Sequence, residues 1–305
     1  MLAYTVRRLI QGVFVLFGVS TLMFVLLRMS GDPVTLFISD VPDAETLDKL
    51  RESLGFNDPL LIQYGRFIWD VLHGDFGTSF LNRSSAMGVA LSRLPATLEL
   101  TFASIIIGSL VAIPAGTYAA VKRGSRSDVL ITGILSVGQA VPIFVVGMVL
   151  ILVVAVPLES IPSSGRSGFA SLILPSATIG IFFASRIARI TRTSVLEFLG
   201  QDFANTARSK GAGESRVVLV HVLRNAATTI VTVVGYLFAT VMSGAIVTEA
   251  VFGWPGLGNL LIQSVRERDF PVVQASVFVV AIFVIAVNLV ADLTIAALDP
   301  RIRVK

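Results

Sequence analysis

Residues 201–226 read QDFANTARSKGAGESRVVLVHVLRNA, a polar, basic stretch set between two long apolar segments. Asp202 is placed to cap a helix through Phe203, Thr206, Ala207 and Lys210, and Gly211 to stop it. Gly213 adds a second flexible point, and a second helix over Glu214–Leu223 runs into the apolar segment that follows. The pattern predicts a short helix–turn–helix across the membrane surface. Its Arg and Lys residues can face lipid headgroups or enter a groove on another protein. Which of these holds decides how the rest of the chain is read.

The flanking composition is that of a membrane protein. Of 305 residues, 54% are hydrophobic and only 14% charged, and mean hydropathy is +0.83. Soluble domains carry roughly 25% charged residues. The net charge of +4 is carried by Lys and Arg beside apolar runs, which fits membrane topology better than nucleic-acid binding. With no cysteine, disulfides and thiolate metal sites are excluded. His73 and His221 are far apart, and neither belongs to a metalloprotease motif.

Six runs approach the roughly 20 residues needed to cross the hydrocarbon core: Leu9–Leu27, Leu100–Val121, Val129–Leu158, Ser167–Ser185, Asn225–Thr248 and Phe270–Ala291. Pro175 interrupts the fourth, and Arg186 and Arg189 are expected to close it. The third is too long for one upright span, so its end near Pro157–Pro162 is expected in the outer interface. Arg7 and Arg8, then Lys122, Arg123 and Arg126, then the arginines from Arg186 to Arg224, and finally Arg301, Arg303 and Lys305 share one side. The positive-inside rule makes that side cytosolic, both termini included. The first run is too long, and lacks the small-residue site, for a cleaved signal peptide.

Residues 29–96 form an external loop that reads as helical. Asp43–Gly55 carries Leu47, Leu50 and Leu54 on one face. Asp58 and Pro59 suit an N-cap and first helical position for a helix bearing Leu60, Leu61, Tyr64, Phe67, Ile68, Val71 and Leu72, with Gly74 as its stop. These faces pack on the bundle or dock a partner. The expected organisation is an N-terminal segment with the first span (1–28), the external loop (29–96), a core of five spans (97–298) and a cytosolic tail (299–305).

TARSKG at Thr206–Gly211 followed by LRNA at Leu223–Ala226 resembles the permeases of the dipeptide/oligopeptide/nickel class of bacterial ABC importers. The likeness extends through GDP at Gly31–Pro33, PATLEL at Pro95–Leu100, LPS at Leu174–Ser176, GWPGLG at Gly253–Gly258, RDFPVVQ at Arg268–Gln274 and LDPRIR at Leu298–Arg303. Importer permeases generally carry Glu-Ala-Ala, three residues, then Gly. With that Gly at Gly211, Asn205 replaces the Glu, and Thr206 and Ala207 occupy the alanine positions. The resemblance implies an all-α membrane protein with the type I importer permease fold. It implies a coupling helix between spans four and five, with Asp202, Asn205, Thr206, Ala207, Lys210 and Gly211 facing an ATPase. It further implies a multi-pass protein of the bacterial cytoplasmic membrane that works with a second homologous permease, two ATPase subunits and an external solute-binding protein. Peptides, glutathione and nickel chelates are the expected solutes.

The chain has no GxxxxGK[ST] phosphate loop, so ATP and Mg are expected in partner subunits and no catalytic site is expected here. Ionisable groups within spans are functional candidates. Glu99 and Glu249 are expected near outer span ends within reach of water. Asn288 and Asp292, four residues apart, either lock helices or relay protons. Gln139 and Pro142 are placed to kink span three and line a path. Gly108, Ala112 and Gly116 form a small-residue face suited to close helix packing. A proton-coupled secondary transporter or a membrane scaffold is the rival reading.

Overall fold

The computed structural model describes residues 2–29, 52 and 57–298. The expected helix at Asp43–Gly55 (save residue 52), the Gly31–Pro33 motif and the tail 299–305 lie outside the described residues. The helices are α1 (Leu2–Met29), α2 (Leu60–Leu72), α3 (Ala86–Val121), α4 (Arg126–Ala140), α5 (Ile143–Leu150), α6 (Phe169–Leu199), α7 (Asp202–Ser209), the single turn α8 (Glu214–Arg216), α9 (Leu223–Val251), α10 (Leu257–Arg266) and α11 (Phe270–Leu298). Wider π turns extend α5 over Ile151–Ala155 and join α8 to α9 over Val217–Val222. Among the described residues, five helices are long and apolar enough to cross a bilayer. The bent pair α4–α5 makes a sixth crossing when counted as one span.

The third run is therefore not a straight helix with an overhang. It breaks between Ala140 and Ile143 and turns by 104°. Val141 is extended (φ −85°, ψ 133°) and Pro142 precedes the first residue of α5. Proline crowds the residue before it out of helical conformation, which places the bend here. Residues 156–162 then run through turns.

The fourth run is also longer than expected. The helix α6 continues past Arg186 and Arg189 to Leu199. Ala184, Ile187, Ala188, Thr191 and Val195 are buried at three- and four-residue spacing, so this half carries a continuous inward face that outweighs the charge on the other. Pro175 lies within α6, and beside it the hydroxyls of Ser176 and Thr178 donate to the carbonyls of Leu172 and Leu174 at 2.5 and 2.8 Å. Side-chain donors of this kind satisfy backbone oxygens where water is absent.

The described residues divide into two compact units, one of 2–5, 96–259 and 286–298, the other of 6–29, 52, 57–95 and 260–285. In the first, α6 is central and packs on α4, α5 and α9. Its approach to α3 is closest at the small residues. A Cβ on Gly108 would lie 3.0 Å from the Gly180 carbonyl oxygen, and one on Gly116 would collide with the Ala188 carbonyl. The small-residue face of span two thus packs within the subunit. Leu100, Ala112, Ile179, Ile187, Leu237 and Val241 close the core around it.

In the second unit, α1 and α2 meet through Thr21 and Tyr64, whose hydroxyls are 2.7 Å apart, through an Arg28–Gln63 hydrogen bond, and through Phe24 against Tyr64 and Phe67. The expected Asp58 cap is not formed. Pro59 is the N-cap, without a side-chain bond, and Asp58 instead pairs with Arg66 at 2.8 Å. Gln63 and Val71 are buried, whereas Leu60, Leu61 and Leu72 remain exposed. Among the described residues, only part of the α2 apolar face is buried. Gly74, at φ +72°, follows the C-cap His73, as a stop requires.

Gly116→Val is expected to cost about 3 kcal/mol, the upper range for overpacking a tight contact. Gly133→Val, where no atom meets the added Cβ, is the control. Thermal unfolding of the detergent-solubilised protein should separate the two.

Candidate functional site

The hairpin after α6 forms as a unit. Gln201, extended at φ −86° and ψ 157°, is the N-cap of α7. Asp202 is the first helical residue rather than the cap, and no side-chain cap bond forms. An acidic group there still favours the positive end of the helix dipole. The Thr206 hydroxyl donates to the Asp202 carbonyl at 2.8 Å. The helix stops at Lys210, and Gly211 takes φ +82°, a left-handed conformation costly for residues with a Cβ.

Two faces of α7 differ. Ala204 and Ala207 are buried against Val195, Val217, Val222 and Ala226. Ala207, one of the residues implied to face a partner, therefore belongs to the chain's own core. Asp202, Asn205, Thr206, Lys210 and Gly211 are exposed.

Arg208 fastens the hairpin. Its guanidinium donates to both carboxylate oxygens of Glu214, at 2.8 and 3.0 Å, to Asn205 Oδ1 at 3.0 Å and to the Leu199 carbonyl at 3.4 Å. The Glu214 hydrogen bonds raise the Arg208 pKa above its ordinary value. One side chain so joins the end of α6, the body of α7 and the start of α8. Read as one more positive charge setting topology, Arg208 was missed as a brace. The available signal was a carboxylate six residues on, across a turn rich in glycine.

Toward the middle of α6 three polar side chains reach α4. Arg192 donates through Nε and Nη2 to the two Asp128 oxygens, both at 2.8 Å. Arg189 donates to Gln139 at 3.3 Å, beside the bend, and the Ser185 hydroxyl donates to the Leu135 carbonyl. Asp128 also accepts from the Gly124 amide at 3.0 Å, and its own amide donates to the N-cap Ser125. Parallel guanidinium–carboxylate bonds fix direction as well as distance. The span-three candidates thus differ: Gln139 is held by α6, and Pro142, exposed, forms the bend.

Glu249 does not lie where water reaches it. The residue is 0% exposed, near the C-terminal end of α9. Its Oε1 accepts from the Thr97 hydroxyl at 2.7 Å, and its Oε2 accepts from the amides of Gly258 and Asn259 at 2.7 and 3.1 Å. Thr97 in turn accepts from the Leu257 amide at 2.8 Å, and the Trp254 indole donates to the Ala96 carbonyl at 2.8 Å. A Cβ on Gly256 would strike the Glu249 carboxylate. The Gly253–Gly258 turn is thereby folded around a carboxylate that takes up the orphan amides of the first turn of α10. Glu99, by contrast, pairs with Arg166 at 2.6 Å on the surface. Asn288 and Asp292 are both partly buried on α11. No cluster of metal-ligating side chains occurs among the described residues.

Glu249→Ala is expected to destabilise the fold by about 3 kcal/mol, since it strands several buried donors at once. Glu249→Gln, which keeps an acceptor oxygen, should recover part of the loss. Hydrogen exchange at Gly258 and Asn259 should rise selectively in the alanine variant.

Comparison with known proteins agrees with this architecture. Residues 112–304 match the family described as binding-protein-dependent transport system inner membrane component, and residues 1–101 match the N-terminal membrane component of the same systems. The glutathione transport system permease protein GsiC of Escherichia coli (strain K12) is 40% identical over 306 residues, covering 100% of both chains. The same-named protein of Salmonella paratyphi A is also 40% identical over full length. A solved structure of the MetNI methionine ABC transporter in an inward-facing conformation shares the fold, with a TM-score of 0.61 at 20% identity over 70% of this chain and 97% of that one. A full-length identity of 40%, a family match over most of the chain and the shared fold agree: the chain belongs to the binding-protein-dependent transport permeases, as a non-catalytic, multi-pass inner-membrane subunit of the dipeptide/oligopeptide class of ABC importers.

Proposed function

We propose that this chain forms half of the translocation path of an importer for glutathione-like or other short peptides. The observation that carries the proposal is full-length identity of 40% to permeases named for glutathione transport. The second half is a homologous permease. Two ATPase subunits, holding ATP and Mg, meet the exposed face of α7, and an external solute-binding protein delivers the peptide. The run of cationic side chains near the hairpin supports placing both termini and α7 on the cytosolic side.

The geometry supports a route for force. Closure of the ATPases displaces α7. The Arg208 brace passes that displacement to the ends of α6 and α8. The helix α6 then carries α4 with it through Ser185, Arg189 and Arg192. Because α4 ends at the Val141–Pro142 bend, its movement alters the angle to α5. Gln139 and Pro142 are the candidate gate residues on this route. Transport requires that these contacts differ in free energy between the two access states, because connection alone shifts nothing. The Glu249 latch is read as structural, and Asn288 and Asp292 as a helix lock.

Reconstitution with the companion permease, ATPases and binding protein tests the reading. Thr206→Trp enlarges the exposed face of α7 without entering the core. It should lower peptide-stimulated ATP hydrolysis at least about fivefold, the lower range of coupling free energies, while assembly is kept. Unchanged stimulation would overturn the placement of the ATPase contact. Asp128→Arg should uncouple hydrolysis from uptake, and the exchanged pair Asp128→Arg with Arg192→Asp should restore part of it. Glutathione and dipeptides should compete for uptake, whereas nickel-chelate uptake without peptide uptake would reassign the solute. A proton-coupled transporter would take up peptide with this chain alone under a pH gradient.

A further inference from the structure

A cleft of about 560 Å³ lies between the last turns of α3 and the α8–α9 junction. Val121, Leu219 and Leu223 line its apolar part, and Thr117, Lys122 and Glu214 its polar part. Its volume is within the roughly 300–1,000 Å³ of small-molecule sites. Leu219 is 61% exposed, a large apolar surface where α3 ends and charged residues begin. Thr117 is only 8% exposed, yet its hydroxyl has no hydrogen-bond partner. A buried hydroxyl without a partner is costly unless something supplies one.

The charges at the mouth are unequal. Both oxygens of Glu214 are occupied by Arg208. Lys122 and Arg123 are exposed, and neither has a carboxylate partner among the described residues. The cleft therefore offers a net cationic rim above an apolar wall.

We propose that this cleft binds an anionic phospholipid, with an acyl chain along Val121, Leu219 and Leu223 and the phosphate on Lys122. Basic clefts between membrane helices at the headgroup level recruit such lipids. The glycerol ester oxygens of the lipid would supply acceptors for the Thr117 hydroxyl. An apolar helix from a companion permease would fill the wall but leave Lys122 desolvated and Thr117 unpaired, which disfavours it. On the orientation proposed above the lipid belongs to the inner leaflet, where it would steady the junction that joins the coupling hairpin to α9. The binding itself depends neither on the solute nor on transport.

The test uses the assembled importer, delipidated in detergent, titrated with phosphatidylglycerol or phosphatidylcholine and read by native mass spectrometry. The wild type should retain one more phosphatidylglycerol per complex than Leu219→Trp, which fills the cleft. Lys122→Gln should lower phosphatidylglycerol retention several-fold and leave phosphatidylcholine retention unchanged. Should Leu219→Trp fail to assemble, Lys122→Gln carries the test alone, since that side chain is exposed. Equal retention by wild type and variants overturns the proposal. So does a photoreactive residue at Val121 that crosslinks to the companion permease instead of to lipid. Loss of peptide uptake with lipid retention intact would count against the transport reading and not against this site.

Discussion

The near-contact of α3 and α6 constrains everything around it. Gly108 faces Gly180 and Gly116 faces Ala188 with no room for added side-chain atoms. In hydrocarbon, lipid tails are as apolar as leucine, so helices gain little by exchanging lipid for each other. Close backbone packing is then the main source of association, and small residues are what permit it. Once α3 holds α6, the other face of α6 is free to receive α4, α5 and α9. One helix can thus carry both the membrane core and the connection to the hairpin.

Polar groups in α6 are used differently along its length. Near Pro175, hydroxyls satisfy carbonyls within the helix. Beyond Ser185 they reach outward, to Leu135, Gln139 and Asp128 on α4. Polar bonds between membrane helices are each modest, about 0.6 kcal/mol on average. Their direction matters more than their sum. Three side chains bonded at intervals along α4 resist both sliding and rotation, which an apolar contact of the same area does less well. The bent third span is therefore tied to α6 by polar bonds along its first limb, whereas α5, beyond Val141–Pro142, also packs on α6.

Much of this was legible in the chain. Apolar length located the spans, and the Gly108–Ala112–Gly116 spacing located the packing face. Positive φ at Gly74 and Gly211 sits where the reading stopped helices. What was not legible depended on partners distant in sequence. Glu249 read as a carboxylate within reach of water because it stands near the outer end of a span, but its partners are Thr97 and amides beyond the next turn. Arg186 and Arg189 read as the end of a span because charge was weighed without the buried face opposite. Asp58 and Asp202 read as caps from residue type alone, whereas Pro59 and Gln201 take those positions. For Glu249 and for the span that runs past Arg189, contacts distant in sequence decided; for the two caps the backbone turned one residue away from the expected position.

The hairpin shows why residue type and partner must be separated when a coupling element is assigned. Its family-like positions divide between two jobs. Ala207 is small because it is seated between α6 and α9, as Ala204 is, so its size serves the chain's own core. Gly211 serves backbone conformation. Only the side chains opposite them are free to carry information to another subunit. A rigid element on the receiving end is useful only if it is tied to what must move, and Arg208 supplies that tie at three points. Replacing the usual Glu by Asn205 does not loosen it, because the Asn205 amide oxygen is itself one of the acceptors on Arg208. The amide at that position therefore serves a brace within the hairpin, and the polar face opposite the buried alanines stays exposed.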